Sequence, residues 1–267
     1  MSYYSLIRPS FWLMIVLIMI VILSFLWLPH IPTQMDISHK LSSPSIQYWL
    51  GTDYLGRDVF SRIVVGLRNS VYIAFFAILI GVVVGVPLGL ISTVYKRFWK
   101  RFISHINDLF LAFPALIMAM LIASTYDPSA VSAIIAIGFF NIPVFARLTR
   151  GAADQIIQKE YILAAKALGK SRFQIACHHV FPNIRSILIV QATSQMSLAI
   201  LAEAALSYLG LGIQAPYPSL GNMLHQAQPF LYLAPSLAIY PGIAIVLTAY
   251  TLNRFSSLLR DRLDPKS

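Results

Sequence analysis

Long apolar stretches separated by short polar and basic ones run through the chain from end to end. Six of them approach or exceed the roughly 20 apolar residues that a membrane-crossing helix needs. They are residues 11–29, 71–94, 107–126, 129–148, 186–206 and 231–253. None shows the period-two alternation over about ten residues that marks a strand of a membrane barrel. The pattern therefore predicts an all-α polytopic membrane protein with six transmembrane helices. The first stretch, Phe11 to Leu28, is longer than a signal-peptide core, and Trp27-Leu28-Pro29-His30 offers no small-residue cleavage site. It reads as a retained span.

Within the second stretch, Gly81, Gly85 and Gly89 recur at a spacing of four. Glycines at that spacing let another helix approach closely, and packing is the better reading than lipid-facing filler. Pro87 and Pro114 are expected to kink or loosen their helices. Pro216, Pro218, Pro229, Pro235 and Pro241 punctuate a region that reads as an irregular outer loop entering the last span.

Composition strengthens the membrane reading. The chain is 58% hydrophobic and 11% charged, with a mean hydropathy of +0.72, whereas soluble domains carry about 25% charged residues. A net charge of +10 raises the question of nucleic acid. The distribution answers it. With the N-terminus inside, the inner segments hold Arg8, the cluster Lys96, Arg97, Lys100 and Arg101, seven basic residues between Arg147 and Arg185, and four from Arg254 to Lys266. The outer segments hold Lys40, Arg57, Arg62 and Arg68, and 207–230 holds none. That asymmetry places both termini in the cytoplasm, for a chain expected to cross the inner (plasma) membrane several times. It also assigns the charge to orientation and anionic lipids, not to nucleic acid. Cys177 is the single cysteine, so no internal disulfide forms.

The predicted organisation is a cytoplasmic N-terminus at 1–10, a first span at 11–29 and an extracytoplasmic loop with an interfacial segment at 30–70. A core of five helices follows at 71–253, including a cytoplasmic hairpin at 149–185, and then a cytoplasmic tail at 254–267.

Three polar stretches are richer than connectors require. Trp49 to Arg62 sets paired glycines beside Asp53, Arg57, Asp58 and Arg62. Its plain reading is a turn, an N-cap at or near Asp58, and a helix lying along the membrane surface. Glu160 to Leu168 is helix-prone, and Gly169 follows as a C-terminal glycine would. A second short helix over roughly 171–180 then leads to Pro182-Asn183. A hairpin with an apolar face of Ile162, Leu163, Ala165 and Leu168 reads as a docking surface more readily than as a solvated connector. Ala164 to Ser171 also satisfies a relaxed phosphate-loop pattern. A working phosphate loop follows a strand and opens a helix, whereas Gly169 here follows helical sequence, so ATP binding is rejected. The third stretch places Glu203 near the outer end of the fifth span, before Leu206-Ser207-Tyr208-Leu209-Gly210-Leu211-Gly212. A carboxylate within the membrane is a functional candidate by default, and the alternative is that it merely reaches an interface or water-filled cavity.

Together these stretches resemble the permease subunits of bacterial ABC importers of the peptide/nickel family, and more closely the second of the two paired permeases. Trp49-Leu50-Gly51-Thr52-Asp53, then Leu55-Gly56-Arg57-Asp58, matches one family stretch. Leu206 to Gly212 matches another with Tyr208 in place of phenylalanine, and Leu259 to Pro265 matches a third. Ala164, Ala165, Gly169 and Pro182 fill the family's coupling motif, with His179 and Asn183 as in its peptide subgroup. Leu163 stands where that motif has glutamate. Helix and glycine remain, so docking is expected to survive, while any polar contact of the glutamate is put in question. The resemblance implies a type I ABC importer permease fold with no catalysis and no cofactor in this chain. It further implies ATP and Mg on two partner ATPase subunits, a sister permease completing a heterodimer, and a substrate-binding protein docking outside. Asp53, Gly56, Arg57, Asp58, Glu203, Gly210 and Gly212 are then candidates for the translocation path, and the cargo is a di- or oligopeptide, nickel or a metal chelate.

Two other classes compete. An ion-coupled secondary transporter would carry inverted repeats and more intramembrane acids than Glu203 and the boundary residue Asp108. An intramembrane enzyme would need a Ser–His or paired-Asp arrangement inside the spans. The histidines at 30, 39, 105, 178, 179 and 225 all lie in loops or at span ends.

Overall fold

The computed structural model describes residues 3–94, 97–112, 115–125 and 127–263. Its helices are α1 (Tyr3–Leu26), α2 (Val59–Val94), α3 (Arg97–Ala112), α4 (Ala115–Thr125), α5 (Ala130–Ile157) and α6 (Glu160–Ala167). The short α7 (Arg172–Gln174) runs through a π-helical turn, Ile175–Val180, into α8 (Phe181–Tyr208). The chain closes with α9 (Leu220–Ala227) and α10 (Ser236–Leu263). Among the described residues the only extended pairing is an isolated bridge between Thr52 and Asp58.

Among the described residues four helices are long and apolar enough to cross a membrane: α2, α5, the continuous run Arg172–Tyr208, and α10. The other two expected spans are shorter. The apolar part of α1 is Ser10–Leu26. The stretch 107–126 is divided between the end of α3 and the 11-residue α4, which at about 1.5 Å per residue does not cross alone. Pro114, Lys96 and the end of the tail, Asp264, Pro265 and Lys266, lie outside the described residues.

The glycine stripe does what its spacing predicts. A methyl group added at Gly81 would lie 2.6 Å from Asn141 Cβ. One at Gly85 would lie 2.5 Å from the Ile142 carbonyl, and one at Gly89 2.5 Å from Thr149 Cβ. The stripe thus seats α5 directly on α2, with Ile73, Ala74, Ala77, Ala133 and Ala136 completing a seam that excludes solvent. Helix α8 packs on α2 and α10, and α1 lies against α2 and α10. Pro87 sits inside α2, which continues as helix to Val94.

Two expectations about the loops are corrected. Helix α2 begins at Val59, well before the apolar run at 71. The segment 49–62 is therefore not a surface helix: it is a turn that runs into the start of the 36-residue α2. The proline-punctuated region is irregular only in its first part: Pro216 and Pro218 lie in the nonhelical stretch 209–219, whereas Pro229, Pro235 and Pro241 lie in or beside helices. Ser219 N-caps α9 by accepting the Asn222 N–H at 3.1 Å. Pro229 falls in the first turn of a 3-10 helix, and Pro235 directly precedes α10. Proline costs little there, because first-turn N–H groups have no intrahelical partner.

Candidate functional site

Residues 30–58 fold into a cap over one end of the bundle, and α6 with the π-helical turn forms a hairpin at the other. Two glycines shape the cap. Gly51 and Gly56 adopt φ of +75° and +73°, which side chains disfavour. A methyl group at Gly56 would lie 1.7 Å from the Asp36 carbonyl. Asp36 opens the small 3-10 helix Ile37–His39 by accepting the Ser38 N–H. Its carboxyl is held below the usual carboxylate range, first by the Ser38 hydroxyl and then by His39. A depressed carboxyl stabilises at neutral pH, and that contribution goes only as pH falls below the ordinary carboxylate range.

The centre of the cap is charged and buried. Arg57 donates Nε–H to Asp53 at 2.6 Å, and Arg62 approaches the same carboxylate at 3.5 Å. Both arginine side chains are 1% exposed. Their outer nitrogens converge on Gln226 of α9, at 3.1 Å from Arg57 and 3.3 Å from Arg62. Gln226 in turn donates to Asn222 at 2.9 Å. Arg62 also donates to the Pro32 carbonyl at 3.2 Å. Asp58 caps α2, accepting the Ser61 N–H at 3.0 Å and its hydroxyl at 2.6 Å. Two buried arginines are thus satisfied by one carboxylate and by amide and carbonyl oxygens, so the cap and α9 hold together as one polar unit.

Beneath the cap, α8 ends in a Schellman turn. The Leu211 N–H reaches the Leu206 carbonyl at 2.8 Å and the Gly210 N–H reaches Ser207 at 3.2 Å, with Gly210 at φ +79°. Gly212 folds back so closely that an added methyl group would lie 2.0 Å from Ser207 Oγ. Ser207 donates to Glu203 at 2.7 Å, and Ser70 of α2 donates to its other oxygen at 2.5 Å. Glu203 is fully buried. It does not reach an interface; it pins α8 to α2. Glu203→Gln keeps an acceptor and a donor for the two hydroxyls and is expected to melt close to the parent protein. Glu203→Leu leaves both hydroxyls without an acceptor and is expected to lose about 1–3 kcal/mol. Equal melting temperatures for the two variants in detergent would contradict the pin.

At the opposite end, α6 also closes in a Schellman turn. The Lys170 N–H reaches the Ala165 carbonyl at 3.2 Å and the Gly169 N–H reaches Lys166 at 3.0 Å, with Gly169 at φ +78°. Ser171 then N-caps α7 in a capping box with Gln174. The phosphate-loop pattern is thus a helix C-cap followed directly by a helix N-cap, with no strand before it. Ile162 and Ala165 are buried against the π-helical turn, while Ala164, Leu163 and Leu168 face outward. The apolar face predicted as one surface is therefore two. The second expected helix does not stop at Pro182: the proline lies in the first turn of α8 and the chain continues as helix. His179 meets Lys170 at 3.0 Å and its carbonyl accepts from Asn183 at 2.6 Å.

Residues 81–267 match the family described as binding-protein-dependent transport system inner membrane component. The chain belongs to that family. A relative in Alkalihalophilus pseudofirmus, the dipeptide transport system permease protein, is 43% identical over 86% of this chain and 75% of its own. The glutathione transport system permease protein of Escherichia coli is 36% identical over 95% of this chain and 84% of its own. An inward-facing structure of the MetNI methionine ABC transporter superposes with a TM-score of 0.65. It is 19% identical and covers 76% of this chain and 97% of the other, so the likeness is one of fold. The helical type I importer fold expected from the sequence is the fold present, and the chain is a multi-pass permease.

In this permease the sequence candidates separate into two ends. Asp53, Gly56, Arg57 and Asp58 build the cap, and Glu203, Gly210 and Gly212 lie just beneath it. Ala164, Ala165, Gly169, His179 and Pro182 lie at the hairpin. Asp53, Arg57, Asp58 and Glu203 are each buried and bonded to their neighbours within this chain. Sequence reasoning missed Ser70, Asn222 and Gln226. Only the four-residue spacing of Asn222 and Gln226 hinted at a shared helix face.

Proposed function

We propose that this permease forms part of the translocation path of an importer that carries di- or short oligopeptides into the cell. The observation that carries the reading is its relatedness, over most of its length, to permeases named for dipeptide and glutathione transport. Both cargoes are short peptides, so peptide rather than nickel is the arm of the expectation that the relatives support. A sister permease completes the path, two ATPase subunits with ATP and Mg bind at the hairpin end, and a substrate-binding protein docks at the cap end.

Both termini then lie in the cytoplasm, with the cap outside, as the distribution of basic residues supports. The cap residues hold the outer ends of α2 and α9 in register, and the hairpin passes nucleotide-driven closure to α5 and α8 as rigid-body movement. Gly169 is well suited to that role. Its positive φ favours glycine, and a side chain there would meet nothing in this chain within 4 Å, so the space beside it is open to a partner.

The test is uptake of labelled dipeptide and of glutathione in cells lacking the chromosomal copy, complemented by parent or Gly169→Asp. The parent is expected to restore uptake of at least one. Gly169→Asp is expected to reach the membrane at normal abundance, yet to abolish uptake and lose the ATPase on purification. Normal uptake by Gly169→Asp would reduce the hairpin to a connector. Failure of the parent on both peptides would remove the peptide assignment. Reporters fused at positions 165 and 222 read the orientation, with cytoplasmic and external signals expected respectively.

A further inference from the structure

A crevice with carbon walls runs between α1, α2 and α10. Leu17, Leu67, Thr248 and Thr251 form its buried floor, and Val16 and Leu247 form exposed lips. The two threonines turn away from it. Thr248 donates its hydroxyl to the Ala244 carbonyl and Thr251 to the Leu247 carbonyl, each at 2.7 Å. The crevice therefore offers almost nothing that would hold water or a polar cargo.

Its dimensions decide what it admits. The volume is about 460 Å³, and the crevice follows α10 from Tyr240, at the cap end, to Thr251. At 1.5 Å per residue that run is about 16 Å, close to half of a hydrocarbon core about 30 Å thick. A volume of 460 Å³ drawn out over that length is a channel about 6 Å wide, half the 10–12 Å of a helix with its side chains. An extended acyl chain fits, and a further helix does not. At the end away from the cap stands a cation. Arg254 is exposed, one turn beyond Tyr250, and lies over that ring at 5.8 Å. Among the described residues no carboxylate or carbonyl accepts from it. Arg8 stands on α1 between one and two turns before Leu13, at the same end of the crevice.

We propose that the crevice holds one acyl chain of an anionic phospholipid from the cytoplasmic leaflet, with the phosphate at Arg254 and the chain running along α10 toward Tyr240. Carbon walls at hydrocarbon depth take the tail, and an arginine with no protein acceptor takes the headgroup. The lipid fills the space between α1 and the bundle and so seats α1 on α10. The choice of leaflet rests on the orientation proposed above; the crevice and its cation do not.

The experiment reconstitutes the full-length permease with its sister in phosphatidylcholine vesicles doped with phosphatidylglycerol that carries a diazirine midway along one tail. After illumination, mass spectrometry maps the label. Label is expected to favour Leu247 and Val16 over Val246, which is exposed on α10 but outside the crevice. Arg254→Gln is expected to lower label at Leu247 about fivefold, the effect of one basic residue at a membrane surface. Ala244→Trp is expected to fill the crevice and abolish the preference. Equal label at Val246 and Leu247 in the parent would mean ordinary boundary lipid and would overturn the proposal. So would parental labelling of Arg254→Gln, which decides the matter alone if Ala244→Trp does not fold. Equal label from a phosphatidylcholine probe would remove the anionic headgroup, and with it the proposal. A crevice that takes no label, but whose Leu247→Cys variant cross-links to the sister permease, belongs to that interface instead. Reporters at 165 and 222 separate the two readings. Reversed signals with the labelling preference intact would change only the leaflet. Expected signals without the preference would leave the orientation standing and sink the lipid site.

Discussion

Arg57→Ala is expected to destabilise the cap by about 3–5 kcal/mol, because it leaves Asp53 as a buried charge without its closest partner. The Arg57 side chain is 1% exposed and its bond to Asp53 is 2.6 Å long. Arg62, at 3.5 Å, does not replace it. The loss also frees one of the two donors on Gln226, so the tie to α9 weakens with the ion pair. Arg57→Lys is expected to recover only part of the loss. A single ammonium does not reproduce a planar fork that bonds Asp53 with one nitrogen and Gln226 with another. The readouts are the melting temperature in detergent and protease cleavage within residues 30–58. Parental values for Arg57→Ala in both would show that the glycine turns and the Asp58 cap hold the segment without the charges.

The second large effect is expected at the α2–α5 seam. Gly85→Leu must displace backbone: the first added carbon would lie 2.5 Å from the Ile142 carbonyl and 2.9 Å from Phe145 Cβ. Overpacking costs about 1–3 kcal/mol for a few extra methylenes, and here no flexible side chain can give way, so loss of folded protein is the expected result. Gly242→Ala in α10 is the matched control. A methyl group there meets nothing within 4 Å, so only helix propensity changes, and stability is expected to rise by up to about 1 kcal/mol. Membrane abundance and melting temperature of the two variants, made side by side, check the contrast. A well-folded Gly85→Leu protein would mean that the seam can open, and that the stripe is not the close contact described.

The outer charge pattern illustrates why composition and position differ. Counting Arg57, Arg62 and Arg68 as outer cations supports the orientation, but none of the three is a free surface charge. Arg57 and Arg62 are committed to Asp53 and Gln226, and Arg68 donates to the Ser24 carbonyl at 3.1 Å while lying over the Phe25 ring. The same residues thus bear on topology during insertion and on packing once folded.

Much of this permease follows from local chemistry that a sequence carries openly. Apolar run length sets which segments are helices in lipid, since every backbone polar group must be satisfied within the segment. Spacing of four puts Gly81, Gly85 and Gly89 on one face. A glycine after an alanine-rich helix marks a left-handed C-cap, and Gly169 adopts it. Asp58 as an N-cap is equally local, because the carboxylate and the N–H it accepts are three residues apart. What the tertiary structure alone decided is long-range pairing. Ser70 meets Glu203, Arg57 and Arg62 meet Gln226, and Gly212 closes on Ser207 only because α2, α8 and α9 converge at one end of the bundle. It also decided that α2 starts at Val59 and that Pro229 and Pro235 sit at helix starts, since burial of the polar cap, not hydropathy, extends those helices. The division of the hairpin's apolar residues into a buried and a displayed set has the same origin. Periodicity says which residues share a helix face, and only the partner packed against that face says which side is inward.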